Sequence, residues 1–426
     1  MSELVGILIF AFGILFSIGL HEIGHLLPAK KFGVRVPTYM VGFGPTIWSK
    51  VKGETEYGIK LLPFGGYIRM IGMYPPSRKV IEDPEKLGRL GNLIEEARKE
   101  TLSEISPADE NRVFYKLSVP KKLTVMFGGP FMNLVIATVL FFVTLSGIGI
   151  SAPSTTLSNV TACVPTADNP TGIASTDGSC GDGVKGAAYA AGIQAGDTLK
   201  SIDGIPIASW DDVSGALAGK VGQVVPVVVK RAGSEVTLTP TVGEIEDTPG
   251  APRAFLGISP ATYMEKMPAS QVPAEMWDFT VLSVQGLISF PAQVFNLGQD
   301  LFTDEPRDIE GPVSVIGVGR ISGQVTGADA ISNLDKVSIL LMLLASLNLF
   351  LFLFNLVPVL PLDGGHIAGA LYEGARKVFA KVFGRPNPGP VDTAKMLPVA
   401  YVASLILLSM ALVVMLADII KPLNLF

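Results

Sequence analysis

The chain has 426 residues, 48% hydrophobic and only 17% charged, with a mean hydropathy of +0.45 and a formal net charge of −5. This is too apolar and too poor in charge for a string of soluble domains of that length. No basic stripe marks a nucleic-acid surface, and no nucleic-acid partner is expected.

Four apolar runs, residues 4–27, 123–150, 337–357 and 396–416, are each long enough to cross a hydrocarbon layer of about 30 Å. They imply a polytopic membrane protein. Residues 28–122 carry 17 of the 33 Lys and Arg, whereas 149–335 carry 9 and 358–395 carry 5. Loops rich in Lys and Arg stay in the cytoplasm, so the amino terminus is expected outside, with the spans running alternately inward and outward. Both cysteines, Cys163 and Cys180, fall in the outer loop, where a disulfide suits an oxidising compartment.

The first span, assigned to residues 1–27, follows Met1-Ser2-Glu3 rather than a basic leader, and no small-x-small site ends it. It is not expected to be a cleaved signal peptide. Near its inner end stands His21-Glu22-Ile23-Gly24-His25. Two His at i and i+4 share one helix face and reach one ion, while Glu22 sits on a neighbouring face, placed to take a proton without ligating the metal. Ionisable groups inside a span are costly, so these are functional candidates by default.

Residues 28–122 form the first inner loop. Tyr39–Pro45 and the run TEYGIKLLPFGGYIRM at 55–70 mix strand alternation (Tyr57, Ile59, Leu61) with Gly and Pro turns. The segment reads either as a hairpin on the membrane surface or as one dipping back into the membrane. Further on, Leu87, Leu90, Ile94 and Ala97 recur at helical spacing, which predicts an amphipathic helix. Lys121 and Lys122 anchor the second span, 123–150, whose start GGPFMN is rich in small residues that permit close helix packing. Asn133 either bonds across to another span or satisfies local backbone.

Residues 151–260 comprise a Gly-rich insert bearing both cysteines and a small α/β unit at 187–242. In that unit DDVSGALA is helical, VVPVVVKRAGSEVTLTP is a hairpin, and FLGISP closes the fold. AGIQAGDTLKSIDG resembles the carboxylate-loop region of bacterial PDZ domains, which bind peptides by adding a strand to a sheet edge. Residues 261–335 contain an amphipathic stretch, 276–297, and the phrase GPVSVIG at 311–317.

The third span, within 336–366, ends in NLVPVLPLDGGH, where Pro358 and Pro361 break the helix and free backbone carbonyls. The charge count places Asp363 and HEIGH at the same depth. Two His nitrogens, one carboxylate and an open position make a catalytic zinc site. Asp363 also reads as a plain turn-former in LDGG, and His366 is a rival third ligand. An inner loop, 367–395, and the fourth span, 396–417, complete the chain.

HEIGH, GFGP, LPFGGYIRM, GGPFMN, the PDZ-like unit, GPVSVIG and NLVPVLPLDGG together resemble the site-2 intramembrane metalloproteases, over nearly the whole chain. The closest type is the bacterial regulator-of-sigma-E protease group, with four spans. The single PDZ-like unit, where many members carry two, and the Cys-bearing insert look more like actinobacterial members. The resemblance implies a membrane α-helical fold with a membrane-associated β-hairpin and an extracytoplasmic PDZ-like domain. It implies a Zn2+ cofactor held by His21, His25 and Asp363, with Glu22 as general base. It implies that Gly65, Gly66, Tyr67, Ile68 and Arg69 hold the substrate as an added strand, and that Asn355 and Pro358 support substrate near the metal. Apart from the resemblance, the residues themselves offer His366 and Asn133 as candidates to bond the ligands from behind. The expected activity is cleavage of single-pass membrane proteins, such as anti-sigma factors or remnant signal peptides, already trimmed by another protease. A PDZ-bearing receptor with an inert metal site would have no use for Glu22, and a transporter would show internal repeats.

Overall fold

In a computed structural model of the protein, residues 2–77, 88–164, 180, 185–245, 253–303, 307–329 and 331–423 are described. Among them, four helices are long and apolar enough to cross a membrane: Glu3–Lys31, Val119–Ile148, Asn333–Asn355 and Thr393–Ile420. The chain forms two compact units, Gly149–Lys266 and the remainder.

Helix α1 (Ser2–Lys31) is apolar on every side, and Leu8, Phe12 and Phe16 point away from the protein, as a lipid-facing helix requires. Strands β1 (Thr38–Lys52) and β2 (Thr55–Arg69) follow as a long antiparallel hairpin. The alternation in 55–70 marks β2, but β1 is equally long. Both strands bend at glycines with positive φ, Gly42 and Gly65, so the hairpin folds over on itself. Val41 consequently has partners on both sides, Ile59 and Gly66. Helix α2 (Gly88–Ser103) is the predicted amphipathic helix; Leu87 lies outside the described residues.

Helix α3 (Val119–Phe141) runs on through a π-helical stretch to Ile148. It crosses α1 at glycine against glycine: a Cβ on Gly24 would lie 2.2 Å from the Gly128 carbonyl oxygen. Only small residues allow backbones so near.

The unit Gly149–Lys266 has a six-stranded sheet in which β10 (Ile258–Glu265), β3 (Ile150–Val160), β4 (Thr198–Ile202), β6 (Val227–Arg231) and β7 (Ser234–Leu238) lie in that order, with β5 (Ile205–Pro206) on β4. Helices α4 (Ala187–Ala190) and α5 (Asp211–Leu217) and the pair β8 (Gly243–Ile245) and β9 (Arg253–Phe255) complete it. Its core is Leu157, Ile193, Leu199, Ile202, Val227 and Val229. The unit extends past residue 260 because β10 stays paired with β3 as far as Glu265. Cys163 and Cys180 are joined by a disulfide. Asp197, buried, accepts both arms of the Arg231 guanidinium at 2.7 Å and the Gln194 N–H at 2.9 Å. The Arg231 bond holds the Asp197 carboxyl below its ordinary range.

The amphipathic stretch 276–297 belongs to α6 (Val272–Asp300). GPVSVIG is the start of α7 (Val315–Gly327), where Ser314 and Gly317 N–H groups donate to Asp418. Helix α8 (Asn333–Asn355) packs Ala345 and Leu349 against Phe141 and Leu145 of the second span. Asn348, fully buried on α8, donates to Ser17 of α1 at 3.0 Å. Helix α9 (Asp363–Val382) is tied to α3 by a buried ion pair, Lys122 to Glu373 at 2.8 Å. Helix α10 (Leu397–Ile420) is the last span.

Candidate active site

His21 and His25 lie one turn apart on α1, their rings edge to face with centroids 4.9 Å apart. His25 Nδ1 is 2.8 Å from the Val125 carbonyl oxygen. A ring nitrogen facing a carbonyl must carry the proton, which leaves the Nε2 lone pair to face outward. Asp363 is the first residue of α9, not the last of the third span, and His366 shares its opening turn. The reason is local packing: a Cβ on Gly364 would strike the Val357 carbonyl, and one on Gly365 the Leu360 nitrogen. These two glycines seat the helix start directly against the proline-rich loop.

Asp363 Oδ2 lies 3.3 Å from the Nε2 atoms of both His21 and His25, and those nitrogens are 3.2 Å apart. Tetrahedral zinc with bonds of about 2.0–2.2 Å requires donor separations of roughly 3.3–3.6 Å. The three side chains therefore fit zinc without rearrangement, and among the described residues they are the cluster able to hold a metal ion. His21 Nδ1 is buried without a partner in the described residues, a donor still to be satisfied when Nε2 binds metal.

Glu22 is buried beside this triad. The hairpin edge meets it: a Cβ on Gly66 would lie 3.0 Å from Glu22 Cγ. Tyr39 of β1 donates to the Gly19 carbonyl at 2.8 Å, holding the hairpin to α1. On the opposite side a Cβ on Gly129 would come within 2.1 Å of His25 Nε2.

The other expected residues are scattered. Tyr67 stacks on Phe43 with centroids 5.9 Å apart, and Arg69 pairs with Glu104. Gly65 makes the bend of β2. Asn355 ends α8, half-buried, while Pro358 is exposed and lines a separate cavity. Asn133 is buried one turn beyond Gly129, its Oδ1 without a partner among the described residues. Sequence reasoning missed the Val125 carbonyl and the specific role of Gly129. The doublet Gly128-Gly129 inside an apolar run was a visible signal for close packing, but nothing local names the partner.

Two His nitrogens and a carboxylate converging on one point, beside an unliganded Glu and among apolar spans, define a membrane zinc metalloprotease. Comparison with known sequences agrees. The pattern of peptidase family M50 matches residues 9–385, and the chain belongs to that family. It is 31% identical to the zinc metalloprotease Rip1 of Mycobacterium tuberculosis over 100% of both chains. It is 32% identical to Rip1 of Mycolicibacterium smegmatis over 99% of each. The zinc metalloprotease RasP of Shouchella clausii is 24% identical, over 84% of this chain and 87% of that one. The protein is thus a site-2-type hydrolase whose cofactor is Zn2+ and whose apolar helices fit a multi-pass membrane protein.

Proposed function

We propose that the protein cuts single-pass membrane proteins within or near the bilayer, with His21, His25 and Asp363 holding the zinc and Glu22 as the base. The observation that carries this reading is the 3.2–3.3 Å convergence of three donor atoms beside buried Glu22, with Gly66 of the hairpin against it. Zinc held by His21, His25 and Asp363 would supply Lewis acidity toward a water molecule and the scissile carbonyl. Glu22 takes the proton of the attacking water and returns it to the leaving nitrogen.

A membrane helix has its amides bonded internally, so it must unwind before water can attack. Residues 66–69 pair on one side with 38–41, and no described strand pairs on the other. An unwound substrate segment adds there as a strand and recovers its lost hydrogen bonds. Asn355 supports that segment near the metal, and Asn133 and His366 orient the ligands. The active site faces the cytoplasm, and the unit Gly149–Lys266 is a PDZ-like extracytoplasmic domain that turns away untrimmed substrates. Those substrates are anti-sigma factors or remnant signal peptides, cut first by another protease.

Capture with the Glu22→Gln variant tests this. It keeps zinc, loses cleavage, and retains single-pass proteins that already lack their outer part. Replacing Gly149–Lys266 with a short linker in that variant adds untrimmed proteins to the catch. A variant that still cuts, or that retains only intact ectodomain proteins from the start, overturns the corresponding part.

A further inference from the structure

A cavity of about 1310 Å³ lies apart from the zinc triad, walled by α2, by the Pro358–Leu360 loop, by one face of α9 and by the first turn of α10. Drug-sized ligands occupy roughly 300–1,000 Å³, so this space suits a longer molecule. Its floor is apolar: Ile94, Val359, Leu360, Ala368, Tyr372 and Val399. Its rim is cationic. Of its lining cations, Arg98 is paired with Glu95 and Asp392 and Lys116 with Glu110 at 3.5 Å, which leaves Arg376 and Lys395 as the excess charge.

Arg98 is 3% exposed and spends its two terminal nitrogens on Glu95 and Asp392. Its Nε is buried without an acceptor among the described residues. Arg376 has the ring of Tyr372 beside it, and neither Arg376 nor Lys395 has a carboxylate partner among the described residues. Positive charge around a buried donor calls for an anion, and phosphate oxygens are suited to an arginine N–H.

The cavity's place in the chain selects the kind of anion. Pro358 follows the third span, which ends at Asn355, and Met396 and Val399 lie in the first turns of the fourth, so the cavity sits at the edge of the apolar zone. Among the described residues its walls are helices and loops, with no open strand edge to pair a peptide backbone. We propose that this cavity is a binding site for an anionic phospholipid. The headgroup phosphate meets Arg98 Nε, Arg376 and Lys395, and an acyl chain lies on the α9 face. The occupant leans on Leu360 and Gly365, and so on the turn that presents Asp363.

The test uses the full chain in nanodiscs containing phosphatidylglycerol or phosphatidylcholine, each with a photoactivatable acyl chain, and maps the labelled peptides. Phosphatidylglycerol is expected to label residues 358–372 and 396–399 in preference to phosphatidylcholine. Arg376→Gln and Lys395→Gln are each expected to lower that labelling roughly fivefold. Ala368→Phe is expected to abolish it, leaving labelling of α1 and α3 unchanged. Equal labelling by the two lipids, or indifference to these substitutions, overturns the proposal. A photoreactive residue at position 372 in cells gives a second reading: a lipid-mass adduct supports it. A protein-sized adduct, or an internal one to residues 78–87, overturns it by naming another occupant.

Discussion

Gly129 of the second span stands against His25 of the first so closely that a single added carbon would lie 2.1 Å from Nε2. Real Cβ contacts do not come that near, and the position that would be invaded is the one facing the metal. Gly129→Ala is therefore expected to cost most of the bound zinc and to lower activity at least tenfold, about 1.4 kcal/mol in barrier terms. Gly147→Ala, where the nearest atom is 4.0 Å away, should leave both unchanged. Metal content of the purified variants decides it, and a zinc-loaded Gly129→Ala refutes the contact.

The third ligand is tested by comparing two residues of one helical turn. Asp363→Ala is expected to lose metal and activity together, because its Oδ2 is equidistant from both His Nε2 atoms at 3.3 Å. His366→Ala should keep metal and part of the activity. Metal analysis showing the reverse pattern would move the assignment to His366.

How much of this was readable beforehand depended on whether the signal was local. Span lengths and the i, i+4 spacing of His21 and His25 are properties of single segments, so composition and periodicity carry them. The hairpin was half legible. The alternation of Tyr57, Ile59 and Leu61 marks β2, whereas GFGP disguises β1, since its glycines serve bends inside a strand. Asp363 as a helix start was hidden for a similar reason: Gly364 and Gly365 read as a turn, yet they pack a helix terminus onto backbone. The Val125 carbonyl behind His25 and the Lys122–Glu373 pair join residues 100 and 251 positions apart, and no local pattern reports such partners.

The hairpin makes a separable prediction. Proline at Ile68 removes a backbone N–H from the strand segment that runs past Glu22 at Gly66. Activity should fall about tenfold or more with zinc retained. Loss of the clamp and a displaced Glu22 part in the Glu22→Gln background. If the edge clamps substrate, Ile68→Pro reduces capture of membrane proteins there; if it only orients Glu22, capture is unchanged and the clamp is refuted.

In the unit Gly149–Lys266, Asp197 makes a prediction about pH. Its folded carboxyl is held below the ordinary value by Arg231, so its contribution is fully present above the unfolded pKa of about 3.9. That contribution is lost as pH falls through the lower, folded value. Asp197→Asn should destabilise the unit by roughly 1–3 kcal/mol at neutral pH and flatten its stability profile below pH ~4. Thermal melts across pH check this, and parallel profiles for the two proteins would contradict it.

The buried pair of Lys122 and Glu373 locks α9 to α3, and α3 is in turn seated on α1 at Gly24 and Gly128. The two helices that bear His21, His25 and Asp363, joined through α3, thus form one frame, closed by contacts that do not involve the hairpin or the sheet unit. Such a frame offers nothing to assemble on demand. A cell that must keep this chemistry quiet has to govern who enters rather than whether the blade exists, and its control elements are the parts of the chain that can be moved while the frame stays still.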